Sequence, residues 1–242
     1  MISKRQIKII TSLQQKKYRK LAGLFVAEGK KVIQEFLNSS FELDTLFTTD
    51  ENLFTSNSKV TLISEAELKK ISFLKTPNKA LALFKISEPV LIEKKGLIVA
   101  LDEVRDPGNL GTIIRLCDWF GVKHLICSEA TVDCYNPKVI QATMGSLTRV
   151  NVVYTDLKNY LSETNLPVFG AFMDGNNVYK TKLPKDGILV MGNEANGVSE
   201  EISTFITEKI AIPRFGEIQQ TESLNVAMAT GILLNEFKRG EF

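Results

Sequence analysis

The sequence predicts an α/β protein in two parts, a small alternating α/β unit over residues 1–92 and a larger parallel-sheet unit over 93–242. Three observations predict it. Short β-branched or aliphatic runs alternate with helical periodicity, regularly so after residue 96, where the pattern pairs strands in parallel with helices on both faces. A proline and a charge cluster interrupt that pattern at EPVLIEKKG (88–96), the best place for a linker. In the second part, turns marked by Asn and Gly follow aliphatic runs at DPGNLGTIIR (106–115), MGNEANG (191–197) and IPRFGEIQQTESLNV (212–226). Open α/β sheets gather polar groups where strands end, so these three loops are expected to form one composite site.

In the first part, residues 4–18 read as one helix with Ile7, Ile10 and Leu13 on one face and Lys8, Lys16 and Lys17 elsewhere. LFVAEG (24–29) reads as a strand ending in a turn, residues 30–37 as a helix, and LDTLFTT and KVTLIS as strands. Ser64 and Glu67 have the spacing of a capping box before ELKKISF, and LALFKI (81–86) is a further strand. The second part then reads as strand GLIVALDEV, helix 112–120, strand HLICS, helix 137–144 and strand RVNVVYT. A short helix at 157–161, strands PVFGAF and GILVMGN, a short helix after Ser199, strand KIAIP and a closing helix over 224–238 complete it.

At 242 residues with 44% hydrophobic content the chain can bury a substantial core. Its net charge of +2 hides an asymmetry: the first 40 residues hold nine Lys or Arg against Glu28 and Glu35, and the remainder is net acidic. A basic end suits a polyanionic partner such as RNA, with Lys16, Lys17, Arg19 and Lys20 around the ring of Tyr18 as candidates; a solvated helix face is the alternative. Cys117, Cys127 and Cys134 lack CxxC spacing and accompany a single histidine, so they suggest buried thiols and no metal site. His124 opens a strand and reads as a strand-end or capping residue. No signal peptide or membrane-length apolar run is present, so a cytoplasmic protein is expected.

The glycine turns do not fit the commoner nucleotide fingerprints. PGNLG lacks the G-x-G-x-x-G order of a dehydrogenase, and GNEANGVS carries Val198 where a phosphate loop needs lysine. Alone, such a turn is a tight connection in which glycine supplies positive φ. Three turns, each adding Asn, Glu or Arg, point to a site.

Together these residues resemble the SpoU/TrmH class of RNA 2′-O-ribose methyltransferases in the SPOUT superfamily, over nearly the whole chain. The first motif corresponds to Asn109 and Arg115, the second to Gly192, Asn193, Glu194 and Gly197, and the third to Ile212, Pro213, Ser223, Leu224, Asn225 and Val226. The segment SLQQKKYRKLAGLFVAEGKKVI is similar to the substrate-binding domain found ahead of the catalytic domain in many members. Two departures are a longer loop at 214–222 and Thr143 where many relatives have serine.

The resemblance implies a carboxyl-terminal α/β knot, a parallel sheet with a deep trefoil knot, behind a small α/β RNA-binding domain. It implies S-adenosylmethionine as methyl donor, held by main chain at Gly192, Ile212 and Leu224 with Asn193 and Gly197, and lined by Phe172 and Met173. A side chain at Gly192 is expected to block the approach of backbone to the donor. Arg115 matches the family's catalytic arginine, always charged and suited to stabilising a developing alkoxide. Asn109, Glu194, Ser223 and Asn225 would support it, although helix capping alone also accounts for Ser223 and Asn225. The implied partners are RNA, rRNA first and tRNA as the alternative, and a second copy in a homodimer to which the closing helix contributes. A non-catalytic RNA-binding assembly protein is the rival reading, and no metal is required.

Overall fold

Strand and helix alternate from the first residues, and the chain divides into two units: Met1–Glu88 with Asp133–Thr148, and Pro89–Val132 with Arg149–Phe242. The computed structural model describes residues 1–55, 57–88, 90–93, 95–216 and 223–241. The first unit begins α1 (Lys4–Ser12), α2 (Lys16–Ala22), β1 (Leu24–Glu28), α3 (Lys30–Leu37), β2 (Leu43–Thr48), β3 (Val60–Leu62), α4 (Glu65–Ile71) and β4 (Ala80–Lys85). The second unit then contributes β5 (Leu97–Leu101), α5 (Pro107–Trp119) and β6 (His124–Ser128) before the chain re-enters the first for α6 (Pro137–Thr143). It finishes with β7 (Asn151–Thr155), α7 (Leu157–Ser162), β8 (Val168–Asn177), β9 (Gly187–Met191), α8 (Glu200–Ser203), β10 (Glu208–Ala211) and α9 (Val226–Lys238).

The first unit is a four-stranded sheet of order β1-β4-β2-β3, antiparallel except for the β2–β3 pair. Alternation along the strands gives each face its own layer. Val26, Phe47, Leu81 and Leu83 pack against Ile10, Leu13, Leu68 and Ile71. A second layer is aromatic: Phe25 meets Phe36, Phe41, Phe84 and Tyr135 at centroid separations of 4.9 to 5.9 Å. Tyr135 comes from the re-entrant segment, which nothing in a linear reading announces. The Ser64–Glu67 capping box forms as expected, with Glu67 N–H donating to Ser64 Oγ at 3.2 Å and Ser64 N–H to the Glu67 carboxylate at 2.9 Å.

The single helix expected over 4–18 is two. α1 stops at Ser12 and α2 starts at Lys16, although neither Gly nor Pro lies between them. Leu13 is fully buried in the core at the break, and Arg19 Nη1 donates to the carbonyls of Leu13 and Gln14 at 2.7 and 2.9 Å. A tertiary donor thus satisfies carbonyls that a continuous helix would have paired internally.

The second unit is a six-stranded, all-parallel sheet of order β10-β8-β9-β5-β6-β7. β5 and β9 are buried at every residue, as central parallel strands covered on both faces must be. Ile98, Ala100, Ile126, Ile188 and Val190 pack with Leu157, Leu161 and Ile202 of α7 and α8. α5 and α9 pack on one another, closely enough that a Cβ at Gly231 would lie 3.4 Å from Leu116. α5 begins at Pro107, a turn earlier than the expected start at 112. Asp106 caps it and proline occupies its first turn, and these signals outweigh Gly108 and Gly111. Most apolar residues of α9 are core, among them Val226, Leu233, Leu234 and Phe237, while Met228 is exposed.

Candidate active site

Strand order places the site. From β5 the chain moves outward through β6 and β7, and then returns to lay β9 on the other side of β5. The crevice beyond the carboxyl ends of β5 and β9 is therefore a topological switch point, where open parallel sheets bind ligands. The first two glycine-marked loops leave from those two ends.

Hydrogen bonds between side chains join all three loops. The Glu194 carboxylate accepts from Asn109 Nδ2 at 3.0 Å, from Asp106 N–H at 3.1 Å and from Arg105 N–H at 3.2 Å. Asn109 Oδ1 in turn accepts from Asn225 Nδ2 at 2.9 Å. Asn225 also caps α9, its Oδ1 accepting from the N–H groups of Ala227 and Met228. Capping and bridging are thus both performed by one amide. Burial pushes the Glu194 carboxyl up, but the Asn109 amide and the loop N–H groups outweigh it and hold its pKa below the ordinary carboxylate value. It is an anion at neutral pH.

The second loop is held from within. Asn193 exchanges backbone hydrogen bonds with Gly197 at 2.8 and 2.9 Å, and its side-chain oxygen accepts from Ala195 and Asn196 N–H. Asn193 Nδ2 reaches across to the carbonyl of Glu103 at 2.7 Å. A Cβ on Gly192 would lie 2.0 Å from the Gly197 carbonyl carbon and 2.1 Å from Val198 N. The loop itself thus requires glycine at 192: it folds back over its own backbone there, and a side chain would collide with it. Gly197 turns with φ +69°.

Two residues that the sequence did not single out complete the junction. Asp102 is buried at the end of β5 and accepts the Ser199 N–H at 2.7 Å, tying the first strand end to the start of α8. Glu103 adopts φ +59°, sparse territory for a residue with a side chain, and so presents its carbonyl to Asn193. An acidic pair directly after the buried run LIVAL was the available signal.

Other expected site residues stand apart from this network. Arg115 is exposed on the stripe of α5 that also carries Gly108, Thr112 and Trp119, and it makes no hydrogen bond or ion pair among the described residues. Ser223 is exposed and caps no helix among the described residues, Ile212 is half-buried after β10, and Leu224 is exposed just before α9. Phe172 and Met173 lie where β8 leaves its ladder with β10, whose partners jump from Gly170 to Asn176. The Phe172 ring lies over Gly170, with Lys209 Nζ 4.5 Å from its centroid, whereas Met173 is open to solvent. Of the longer loop 214–222, residues 217–222 lie outside the described residues.

His124 sits at the opposite, amino end of the parallel sheet. Its ring nitrogens meet Asn151 Nδ2 at 3.2 Å and the Glu93 N–H at 3.4 Å, and burial pushes its pKa down. Its work is structural. The three cysteines are buried and form no disulfide, and no cluster of metal-ligating side chains occurs among the described residues.

In the first unit, Lys16, Lys17, Tyr18 and Lys20 are exposed on α2, but Arg19 is not. Its side chain is 2% exposed and paired with Asp133, Nε to carboxylate 2.9 Å, besides its bonds to the α1–α2 turn. The expectation that Arg19 contacts RNA is corrected: the guanidinium is consumed inside the unit.

Comparison with known proteins bears on this geometry directly. The SpoU rRNA Methylase family matches residues 96–235, and the MRM3-like substrate binding domain matches residues 4–82. The chain is 28% identical over 238 residues to the 23S rRNA (guanosine(2553)-2′-O)-methyltransferase RlmP of Bacillus subtilis, covering 95% of this chain and 94% of that one. A TrmH-family protein from Porphyromonas gingivalis superposes with a TM-score of 0.88 at 38% identity, 99% of each chain being covered. An S-adenosylmethionine-bound rRNA methyltransferase from Sinorhizobium meliloti superposes at 0.87 with 28% identity, over 100% of this chain and 98% of that one. Fold and loops thus define an S-adenosylmethionine-dependent RNA 2′-O-methyltransferase. The chain belongs to the SpoU rRNA Methylase family.

The residues present suit that donor. Met173, on β8, and Leu224, just before α9, keep exposed apolar side chains, a surface suited to the adenine ring and aliphatic carbons of such a donor. No helix among the described residues is long and apolar enough to cross a membrane.

Proposed function

We propose that the protein methylates the 2′-hydroxyl of a ribose in rRNA, with Arg115 as its catalytic residue. The observation that carries the reading is the chain Glu194–Asn109–Asn225, which ties the three motif loops into one constellation at the switch point. Bound S-adenosylmethionine supplies an electrophilic sulfonium methyl. Gly192, Asn193, Gly197, Ile212 and Leu224 hold the donor through the main chain, with Met173 against it and Phe172 behind. Arg115 stabilises the negative charge that develops on the attacking hydroxyl oxygen and grips the adjoining phosphate. Its freedom from other partners among the described residues supports this, since a committed guanidinium could not serve. Glu194 and Asn109 act as positioning residues, Asn225 fixes the third loop, and Ser223 completes the substrate side.

The preference for rRNA rests on relatives that share both units of this chain, RlmP above all, whose name specifies 23S rRNA. The first unit would grip the RNA through Lys16, Lys17, Tyr18 and Lys20, and the second unit would catalyse, the bounds 1–92 and 93–242 expected from the sequence giving way to a first unit that also takes in Asp133–Thr148. A deep trefoil knot in that second unit agrees with the strand order and with Gly175, whose Cβ would lie 2.6 Å from the backbone of Ile210. A homodimer agrees with two exposed apolar side chains on helices that pack on one another, Trp119, 84% exposed, on α5 and Met228 on α9. The setting is cytoplasmic.

Tritiated methyl transfer to rRNA and tRNA from a strain lacking the protein tests the reading. Label at one ribose of 23S rRNA is the expected result. Label in tRNA alone would move the substrate, and donor binding with no label in any RNA would remove the catalytic role.

A further inference from the structure

We infer that the groove between α1 and α2 is a pocket for an unstacked nucleobase of the RNA substrate. The inference rests on the RNA-methyltransferase reading and adds how the first unit would read its RNA. The groove measures about 550 Å³, within the range of small-ligand sites, and Lys8, Ile9, Ser12, Gln15, Tyr18 and Leu21 are in its lining. Its shape follows from the helix break. Arg19 clamps the carbonyls of Leu13 and Gln14, fixing the turn from which α2 departs.

Three features of the groove specify a base. First, it leaves apolar surface open: Leu21 is 82% exposed, and Tyr18 and Ile9 are 39% and 38% exposed. An aromatic ring beside aliphatic side chains is a stacking platform that accepts any base. Second, the Gln15 amide does not cap α2, and neither it nor the Tyr18 hydroxyl has a hydrogen-bond partner among the described residues. An amide offers a donor and an acceptor together, the complement of a base edge. Third, residues 3–23 hold seven Lys or Arg and no Asp or Glu. With Arg19 consumed by Asp133, Lys8 lines the groove, and Lys4, Arg5, Lys17 and Lys20 are exposed on the two helices that form it. Such a rim matches phosphates and repels a second copy of the same surface. Apolar slot, open amide and cationic rim together select a nucleotide held out of its stack.

The test uses the full chain and two RNA probes, a hairpin with an unpaired loop and a blunt duplex of the same stem, read by fluorescence anisotropy. Tyr18→Ala is expected to weaken hairpin binding about tenfold, the loss of one stacked base, while duplex binding and its salt dependence stay as they were. Tyr18→Phe should restore hairpin binding, because the ring remains. Both variants change a surface side chain, so unchanged melting temperatures check the fold. Equal weakening on both probes, or none on the hairpin, overturns the pocket. A drop in sedimenting mass for Leu21→Ser would assign the groove to a second copy and overturn it too. Methyl transfer by the wild-type protein, measured on the same preparation, separates the two readings: transfer with an indifferent Tyr18→Ala sinks the pocket alone, and neither transfer nor hairpin binding sinks both.

Discussion

Arg115 projects from the solvent stripe of α5 with no partner among the described residues, so the fold has no use for its charge. Arg115→Ala should therefore keep its melting temperature and its donor affinity while losing methyl transfer by at least about 100-fold, the cost of one charge-stabilising donor. Turnover near the wild-type rate would dismiss the proposed role. Glu194 makes a different prediction because its carboxylate is engaged. Its folded pKa lies below the ordinary 4.5, so its contribution is fully present above that value and fades as pH falls through the lower folded value. Melting curves of wild type and Glu194→Gln should differ from neutrality down to about pH 4.5 and converge only in more acidic solution. Convergence already at pH 6 would contradict the hydrogen-bonded anion. The Asn109, Glu194 and Asn225 cluster was legible because each lies in a loop marked by glycine or a cap beside a buried run. Asp102 and Glu103 were not, since an acidic pair after a strand has no distinctive spacing.

At the level of elements, boundaries set by local chemistry were legible and those set by tertiary packing were not. Ser64 with Glu67 announces α4, and the closing strands and helices follow their apolar periods. The break between α1 and α2 had no such signal, because a guanidinium arriving from the following helix makes it, and the same residue looked from its neighbours like part of an RNA-binding run. Its burial yields a prediction about stability. Arg19→Ala should cost on the order of 3 kcal/mol in urea unfolding, the penalty for stranding Asp133 and the turn carbonyls. A loss below about 0.5 kcal/mol, typical of a surface cation, would return Arg19 to the RNA-binding surface.

Across the whole molecule, charge and assembly are the testable properties. Replacing Lys16, Lys17 and Lys20 together by Ala should lower the slope of log affinity against log salt by about three, one for each phosphate no longer neutralised. An unchanged slope would move the RNA surface elsewhere. Trp119→Glu should convert a dimer to a monomer in sedimentation without unfolding either unit, since the indole is open to solvent in the single chain. A wild-type protein that already sediments as a monomer would end the homodimer proposal. The alternation of strands and helices exposed the two-part α/β design in sequence, but not the path by which the parts share the chain.

That path matters while the protein is being made. Asp133–Thr148 belongs to the first unit, bringing Tyr135 to its aromatic layer and Asp133 to Arg19. A ribosome that has released only the first 88 residues has therefore released an unfinished body. The amino-terminal unit must wait, with part of its aromatic face and a buried guanidinium uncovered, until residue 148 has cleared the exit tunnel. The usual order of synthesis, first domain closed before the second begins, is barred by the topology of the chain.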